Sequence, residues 1–123
     1  MPTAIVVDDS RAIRMILGRT LRGLGYEVRE AGNGVDALAA LGAGPRPDLV
    51  MADWNMPVMD GLELLRRIRG SAEFSAVPVI MVTTEAEIDQ MTLALEAGAT
   101  EYIMKPFTAE ILADKLRMVG LVE

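Results

Sequence analysis

Apolar and polar residues follow one another along the chain in blocks that predict five strands alternating with five helices. Segments of strand length occur at residues 3–7, 26–31, 48–52, 77–82 and 100–104. The segment after the first of these has apolar residues at the spacing of an amphipathic helix: Ile13, Ile16, Leu17, Leu21 and Leu24. Because the first and third strand segments contain unbroken apolar runs, residues 4–7 and 49–52, they predict strands covered on both faces, as in a doubly wound parallel sheet of an α/β fold.

Polar residues and glycines mark the predicted ends of the helices. The predicted N-caps are Ser10, Asn33, Asp60, Thr84 and Thr108, and two of them begin capping-box patterns, at residues 60–63 and 84–87. The predicted helices end near Gly25, Gly42, Arg69, Gly98 and the C-terminus. The connections are short, with residues 44–47 as a loop, so we expect a single domain over residues 1–123.

The composition narrows the chemistry that this domain can carry out. With 51% hydrophobic residues the chain can form a proper core, and its net charge of −6 argues against nucleic acid or an anionic membrane as partner. The sequence contains no cysteine and no histidine, which excludes disulfides, thiolate metal sites and the Ser-His-Asp triad. Any chemistry must therefore depend on carboxylate, hydroxyl, Lys, Tyr or a bound metal ion.

The pattern of apolar residues also bears on where the protein acts. We find no signal peptide and no apolar run of about 18 residues, the length that a membrane-spanning helix needs. We therefore expect a cytoplasmic protein and a monomer. The chain ends soon after the last predicted helix, so we expect no attached effector domain and an output through protein contacts.

Polar residues follow four of the five predicted strands, at the edge where the carboxyl ends of parallel strands meet. They are Asp8, Asp9, Asp53, Thr83, Thr84 and Lys105, whereas the second strand ends in Ala31-Gly32 and contributes nothing obvious. Ligands of open α/β sheets bind at this edge. Three carboxylates gathered there need a cation or a raised pKa.

The kinds of side chain in this set favour phosphoryl chemistry with Mg²⁺. Hard oxygen ligands without nitrogen or sulfur suit Mg²⁺, and a carboxylate can act as a nucleophile that forms an aspartyl phosphate. Mg²⁺, the lysine amine and a threonine hydroxyl would then supply the positive charge and the donor that phosphoryl transfer requires. The formal charges of three carboxylates, Mg²⁺ and Lys105 cancel.

An ordered set of motifs over nearly the whole chain resembles the response-regulator receiver domains, and within them the single-domain chemotaxis regulators of the CheY type. The motifs are VVDDS (residues 6–10), DWNMPVMDG (53–61), MVTTEA (81–86), AGA (97–99) and YIMKPF (102–107). The resemblance implies a flavodoxin-like fold, with five parallel strands in the order 2-1-3-4-5 and five helices.

The resemblance also implies roles at the site. Asp53 would accept a phosphoryl group from a CheA-like sensor histidine kinase. Asp8, Asp9, Asp53 and the backbone carbonyl of Asn55 would hold Mg²⁺. Lys105 would pair with the phosphate, and the peptide bond that follows Lys105 is often cis in this family.

Other positions would transmit or tune the signal. Thr83 would bind a phosphoryl oxygen, and Tyr102 would turn inward as Thr83 moves. Asn55 and Glu85 occupy positions that tune self-dephosphorylation in the family. The domain would promote its own phosphorylation and dephosphorylation without turning over an external substrate. Trp54 is expected at the rim of the site, partly exposed.

The output would run through a face formed by the fourth helix, fifth strand and fifth helix, with the flagellar motor switch as the expected target. Residues expected on this partner face are Ile88, Met91, Leu95, Tyr102 and Lys115. The apolar residues of the fourth helix depart from the basic ones common in CheY proteins, and their spacing also fits a core position. Position 10 is Ser, where an aromatic residue occurs in the best-known CheY.

Two other classes of function remain open at this level. A phosphatase of the haloacid-dehalogenase type also uses an aspartyl phosphate, Mg²⁺, Thr and Lys, but its general acid is usually an Asp two residues after the nucleophile, where this chain has Asn55. A receiver could also serve a relay or act as a phosphate sink, without an output partner. Capture of partners with and without beryllofluoride would separate these possibilities.

Overall fold

Five strands and five helices alternate in the computed structural model, which describes residues 2–84 and 88–122. Their bounds are β1 Thr3–Val7, α1 Arg11–Gly23, β2 Glu27–Ala31, α2 Gly34–Gly42, β3 Leu49–Asp53, α3 Gly61–Gly70, β4 Val79–Thr84, α4 Ile88–Glu96, β5 Glu101–Lys105 and α5 Ala109–Met118. Every strand pairing is parallel, and the strand order is β2-β1-β3-β4-β5. The predicted fold is therefore confirmed.

Side chains that alternate along the strands divide the core into two layers, one on each face of the sheet. Ile5 and Val7 face α2, α3 and α4, in a cluster that includes Leu64 and Ile68. Ala4 and Val6 face the opposite way, into a cluster with residues of α1 and α5. Because successive side chains of a strand point to opposite faces, a strand between two helical layers must be apolar at every position. This explains the unbroken apolar runs.

Four of the five predicted N-caps hold the starts of their helices. Each side chain accepts a hydrogen bond from the backbone N–H three residues later: Ser10 at 3.3 Å, Asn33 at 2.8 Å, Asp60 at 2.9 Å and Thr108 at 3.1 Å. The predicted fifth cap, Thr84, is the last residue of β4, and the rest of its capping box, residues 85–87, lies outside the described residues.

The largest difference from the predicted boundaries concerns β4, which begins at Val79 and not at Val77. Pro78 lacks an N–H group and contributes only its carbonyl, which accepts from Val50 N at 2.9 Å. At its other end β4 continues through Thr84, because Thr83 and Thr84 stay in register with β5. The structure therefore places these two threonines within the strand.

Among the described residues, no helix combines the length and the apolar character that crossing a lipid bilayer would require.

Candidate functional site

Three carboxylates meet at the carboxyl edge of the sheet. Asp8 and Asp9 follow β1 and Asp53 ends β3, and one carboxylate oxygen from each lies within 4.8 Å of the others. The strand register explains this meeting, because Val7 pairs with Ala52 and the next residue on each strand is an aspartate. Asp8 and Asp53 are buried, whereas Asp9 is exposed. The predicted acidic cluster therefore exists.

Lys105 stands between the two buried carboxylates. Its Nζ lies 3.2 Å from Asp8 Oδ2 and 3.2 Å from Asp53 Oδ1, and donates to both. Lys105 ends β5, where it is paired in register with Thr84 of β4. Its ammonium offsets part of the negative charge of the cluster, and the peptide bond between Lys105 and Pro106 is cis.

The electrostatics of the cluster make Asp53 an unusual carboxyl group. Burial, and next the negative charge of Asp8, raise the pKa of Asp53 to about 6, although Lys105 opposes the shift. Burial alone would lower the pKa of Lys105, but the neighbouring Asp53 and Asp8 more than compensate and raise it. Near neutral pH the site therefore holds a carboxylate whose charge is poorly compensated.

Thr83 supplies a buried hydroxyl at the same edge. Its side chain is fully buried, and its Oγ1 has no hydrogen-bond partner among the described residues. A buried hydroxyl without a partner is costly, and such groups point to a ligand that is bound in another state. Asp53 at the end of β3 pairs with Val82 of β4, and Thr83 is the next residue along β4. Thr83 therefore lies near Asp53 at the carboxyl edge of the sheet.

The segment after Asp53 is packed closely against the site. Gly61 N donates to Trp54 O at 2.9 Å, and a Cβ on Gly61 would lie 2.3 Å from Asp53 O. Only glycine permits this approach, which brings α3 against the end of β3. Trp54 is 4% exposed, so the expectation of a partly exposed rim residue is wrong. Its ring packs in the core layer with α2, α3 and α4.

Asp8 is fixed by contacts that the sequence did not reveal. Ser10 N donates to Asp8 Oδ1 at 2.8 Å, and Asp8 N donates to Ala31 O at 3.1 Å. Arg14 Nη1 donates to the backbone carbonyl of Asp8. Arg14 also forms an ion pair with Glu30 at 3.2 Å. Glu30 is the next-to-last residue of β2, so this strand, which offered nothing obvious in the sequence, contributes to the surroundings of the site.

The donor set fits a small divalent cation. Carboxylate oxygens are the hard ligands that Mg²⁺ prefers, and three of them are gathered from two strand ends. Burial, and next the negative charge of Asp8, raise the pKa of Asp53, and a nearby divalent ion would favour its ionised form. Asp8, Asp9 and Asp53 would hold the ion, and Asn55 lies in the exposed segment beyond Asp53.

The structure describes only some of the residues predicted to tune dephosphorylation or to bind a partner. Glu85 lies outside the described residues, and so does the side chain of Ile88. On the predicted partner face Met91 is 6% exposed and belongs to the core, so the expectation for this residue is wrong. Its position on α4 turns inward, whereas Leu95 on the same helix is 46% exposed.

Tyr102 and Lys115 do meet on that face. The Lys115 Nζ lies 4.9 Å from the centroid of the half-buried Tyr102 ring and 3.6 Å from Glu101 Oε1. The same Glu101 oxygen accepts from Tyr102 N at 2.9 Å. A cation over an aromatic face is attractive, so Lys115 stabilises the observed position of the ring.

The fold and this site define a receiver domain. The sequence matches the response regulator receiver domain family over residues 4–117, and the chain belongs to that family. Within the family it is CheY-like, as relatives of known name and structure show.

Two relatives and one solved structure illustrate the likeness. The chain is 45% identical to the chemotaxis protein CheY1 of Helicobacter pylori over 94% of each chain. It is 43% identical to the chemotaxis protein CheY homolog of Campylobacter jejuni, over 94% of this chain and 89% of the relative. The structure of the chemotaxis response regulator CheY4 of Vibrio cholerae is 37% identical, with a TM-score of 0.88 over 97% of this chain and 98% of that one.

Proposed function

We propose that this protein is a stand-alone response regulator that accepts a phosphoryl group on Asp53 from a sensor histidine kinase. The observation that carries the proposal is the position of Asp53, buried beside Asp8 and Asp9 and 3.2 Å from the ammonium of Lys105. The named relatives are chemotaxis proteins matched over most of their length, which supports a chemotaxis role.

The proposed step forms one bond and breaks one. A carboxylate oxygen of Asp53 attacks the phosphorus of a phosphohistidine, the phosphorus–nitrogen bond breaks, and its electron pair returns to the imidazole. Asp53 becomes an acyl phosphate. The chain has no histidine, so it can receive the group in this way but cannot be a histidine donor.

Each residue of the site has a task in that step. Lys105, released from its bond to Asp53, pairs with a phosphoryl oxygen. The hydroxyl of Thr83, which has no partner within the described part of the chain, donates to another. Asp8 and Asp9 would hold Mg²⁺ together with Asp53 and the backbone carbonyl of Asn55, and the ion would supply positive charge to neutralise the phosphoryl oxygens.

The output is a change in the face of α4, β5 and α5. When Thr83 turns to the phosphoryl group, it opens space toward β5, and Tyr102 moves inward and leaves Lys115. A protein target such as the flagellar motor switch then binds this face. The domain promotes its own phosphorylation and hydrolysis, tuned by Asn55 and Glu85, and turns over no external substrate.

Phosphorylation from acetyl phosphate tests the proposal without knowledge of the kinase. With Mg²⁺ the intact mass should rise by one phosphoryl group, and the fluorescence of Trp54, the only tryptophan, should change. Asp53→Asn should abolish both effects. Glu73→Gln is the matched control, because Glu73 is an exposed carboxylate between α3 and β4.

An unmodified wild-type mass with unchanged fluorescence would overturn the proposal. Binding of the motor-switch target with and without beryllofluoride then tests the output. A phosphate sink would gain no partner on activation, whereas the proposed switch gains one.

A further inference from the structure

Arg14 ties the carboxyl ends of β1 and β2 together beside the acidic cluster. Its Nη1 donates to the backbone carbonyl of Asp8, and its Nε donates to Glu30 Oε1 at 3.2 Å. The Arg14 side chain is 18% exposed, so water competes little for these bonds. A planar guanidinium can satisfy two acceptors at a fixed angle, which a lysine amine cannot do.

The carbonyl that Arg14 binds belongs to the peptide that joins Asp8 to Asp9. The N–H of Asp8 is already bound to Ala31 O at 3.1 Å, and its carboxylate accepts from Ser10 N at 2.8 Å. With the carbonyl held as well, the plane of the next peptide is fixed. The bond from Arg14 therefore restrains the peptide from which the exposed Asp9 continues the chain.

We propose that Arg14, held by Glu30, is a positioning residue for the divalent cation. The inference rests on the proposed function, in which Asp8 and Asp9 bind Mg²⁺. Mg²⁺ demands near-ideal octahedral geometry, so a small error in the direction of one carboxylate weakens binding. Loss of a group that orients a metal ligand typically costs about 10-fold to 100-fold in affinity.

An effect of the Arg14 charge and an effect of its orienting bond would change Mg²⁺ affinity in opposite directions when Arg14 is replaced. A guanidinium close to the cluster repels a cation, so removal of its charge alone would tighten Mg²⁺ binding. Removal of the orienting bond would weaken it. Glu30 offsets the charge of Arg14, so the electrostatic effect is small and orientation dominates.

The experiment is a Mg²⁺ titration followed by Trp54 fluorescence, with no phosphodonor present. Arg14→Met should raise the Kd for Mg²⁺ about 10-fold. Arg14→Lys keeps the charge but loses the two-pronged contact, and it should also raise the Kd, by a smaller factor. Arg19→Met is the control, because Arg19 is exposed on the same helix and its loss changes the charge equally.

An unchanged or lower Kd in Arg14→Met would overturn the inference while leaving the proposed function intact. If that variant does not fold by circular dichroism, Arg14→Lys decides, and an unchanged Kd there overturns the inference. Failure of the wild type to bind Mg²⁺ would overturn the proposed function, and the inference with it.

Discussion

Among single residues, Asp53 is the one whose environment favours a different protonation state from the one that its proposed function requires. It is buried beside Asp8, and this environment favours the neutral acid. The proposed roles of Asp53 as nucleophile and cation ligand, however, require the ionised form. Lys105 compensates part of this charge at the end of β3, and a bound Mg²⁺ would compensate more of it.

The pH dependence of stability should reveal this charge. The pKa of Asp53 is raised from its ordinary value of 3.8 to about 6 in the folded protein, so the folded state binds more protons between these pH values. Its contribution to stability is therefore lost as the pH rises through that range. We therefore compare the free energy of unfolding of Asp53→Asn with that of the wild type, without Mg²⁺. The difference in favour of the variant should grow by about 2 kcal/mol as the pH rises from about 4.5 to 7.5.

Urea unfolding at the two pH values measures this change. Glu73→Gln is the matched control, because it removes a carboxylate that is exposed on the surface. A gain of Asp53→Asn that is equal at both pH values would contradict the assigned cause.

Val58 is a second residue held at a cost. Its φ is 70°, and Met59 N donates to Pro57 O at 2.7 Å, which closes a γ-turn around Val58. A β-branched residue is disfavoured at positive φ, and the strain is of the order of 1–3 kcal/mol. The strained turn lies in the segment between Asp53 and Gly61, which packs against the site.

Val58→Gly should therefore stabilise the fold by about 1 kcal/mol. The Val58 side chain is 83% exposed, so its removal sacrifices little packing. Val35→Gly is the contrasting control, because Val35 is 48% exposed but helical, and it should destabilise by a similar amount. Midpoints of chemical unfolding compare the two, and a destabilised Val58→Gly would show that the turn is not strained.

Among the elements, one arginine of α3 ties together the loops at the opposite edge of the sheet. Arg69 Nη1 donates to Val77 O at 2.6 Å and to Ser75 O at 3.2 Å, and Arg69 Nε donates to Gly98 O at 2.8 Å. These carbonyls precede β4 and β5. Burial lowers the pKa of Arg69 from its ordinary value, which is consistent with its structural position.

Replacement of Arg69 by Met should destabilise the protein by about 2–4 kcal/mol, because it leaves several carbonyls without a donor. Arg69→Lys should not restore the loss, since one amine cannot reach all the acceptors. Arg66→Met, on the exposed side of the same helix, should change stability by less than about 0.5 kcal/mol. Thermal unfolding provides the comparison, and a full rescue by Lys would show that charge alone matters.

For the whole molecule, cation binding should be linked to folding and to pH. A ligand that binds only the folded state adds about 1.4 kcal/mol at ten times its Kd. In the proposed site Mg²⁺ would compete with the proton on Asp53, so it should raise the Tm more at about pH 7.5 than at about pH 5. In Asp53→Asn this pH dependence should largely disappear, and equal shifts in the wild type would show that Asp53 is not a ligand.

Much of the fold was accessible from the sequence for a simple reason. The strands between two helical layers must be apolar throughout, and Ser10, Asn33, Asp60 and Thr108 cap helices through bonds that span only three residues. Local rules also place aspartates at strand ends. The predictions were wrong where contacts between remote segments decided the outcome. Pairing with β5 extends β4 through Thr84, beyond its predicted end, and core packing buries Trp54, which was expected to be partly exposed.

The sequence by itself determined the set of polar groups at the carboxyl edge, Asp8, Asp9, Asp53, Thr83 and Lys105, because parallel strands deliver their ends to one place. Only the tertiary structure decided how these groups interact. The 3.2 Å contacts of Lys105, the raised pKa of Asp53 and the bond from Arg14 to the Asp8 carbonyl depend on distances between segments that are remote along the chain. Such distances follow from packing, which no local pattern encodes.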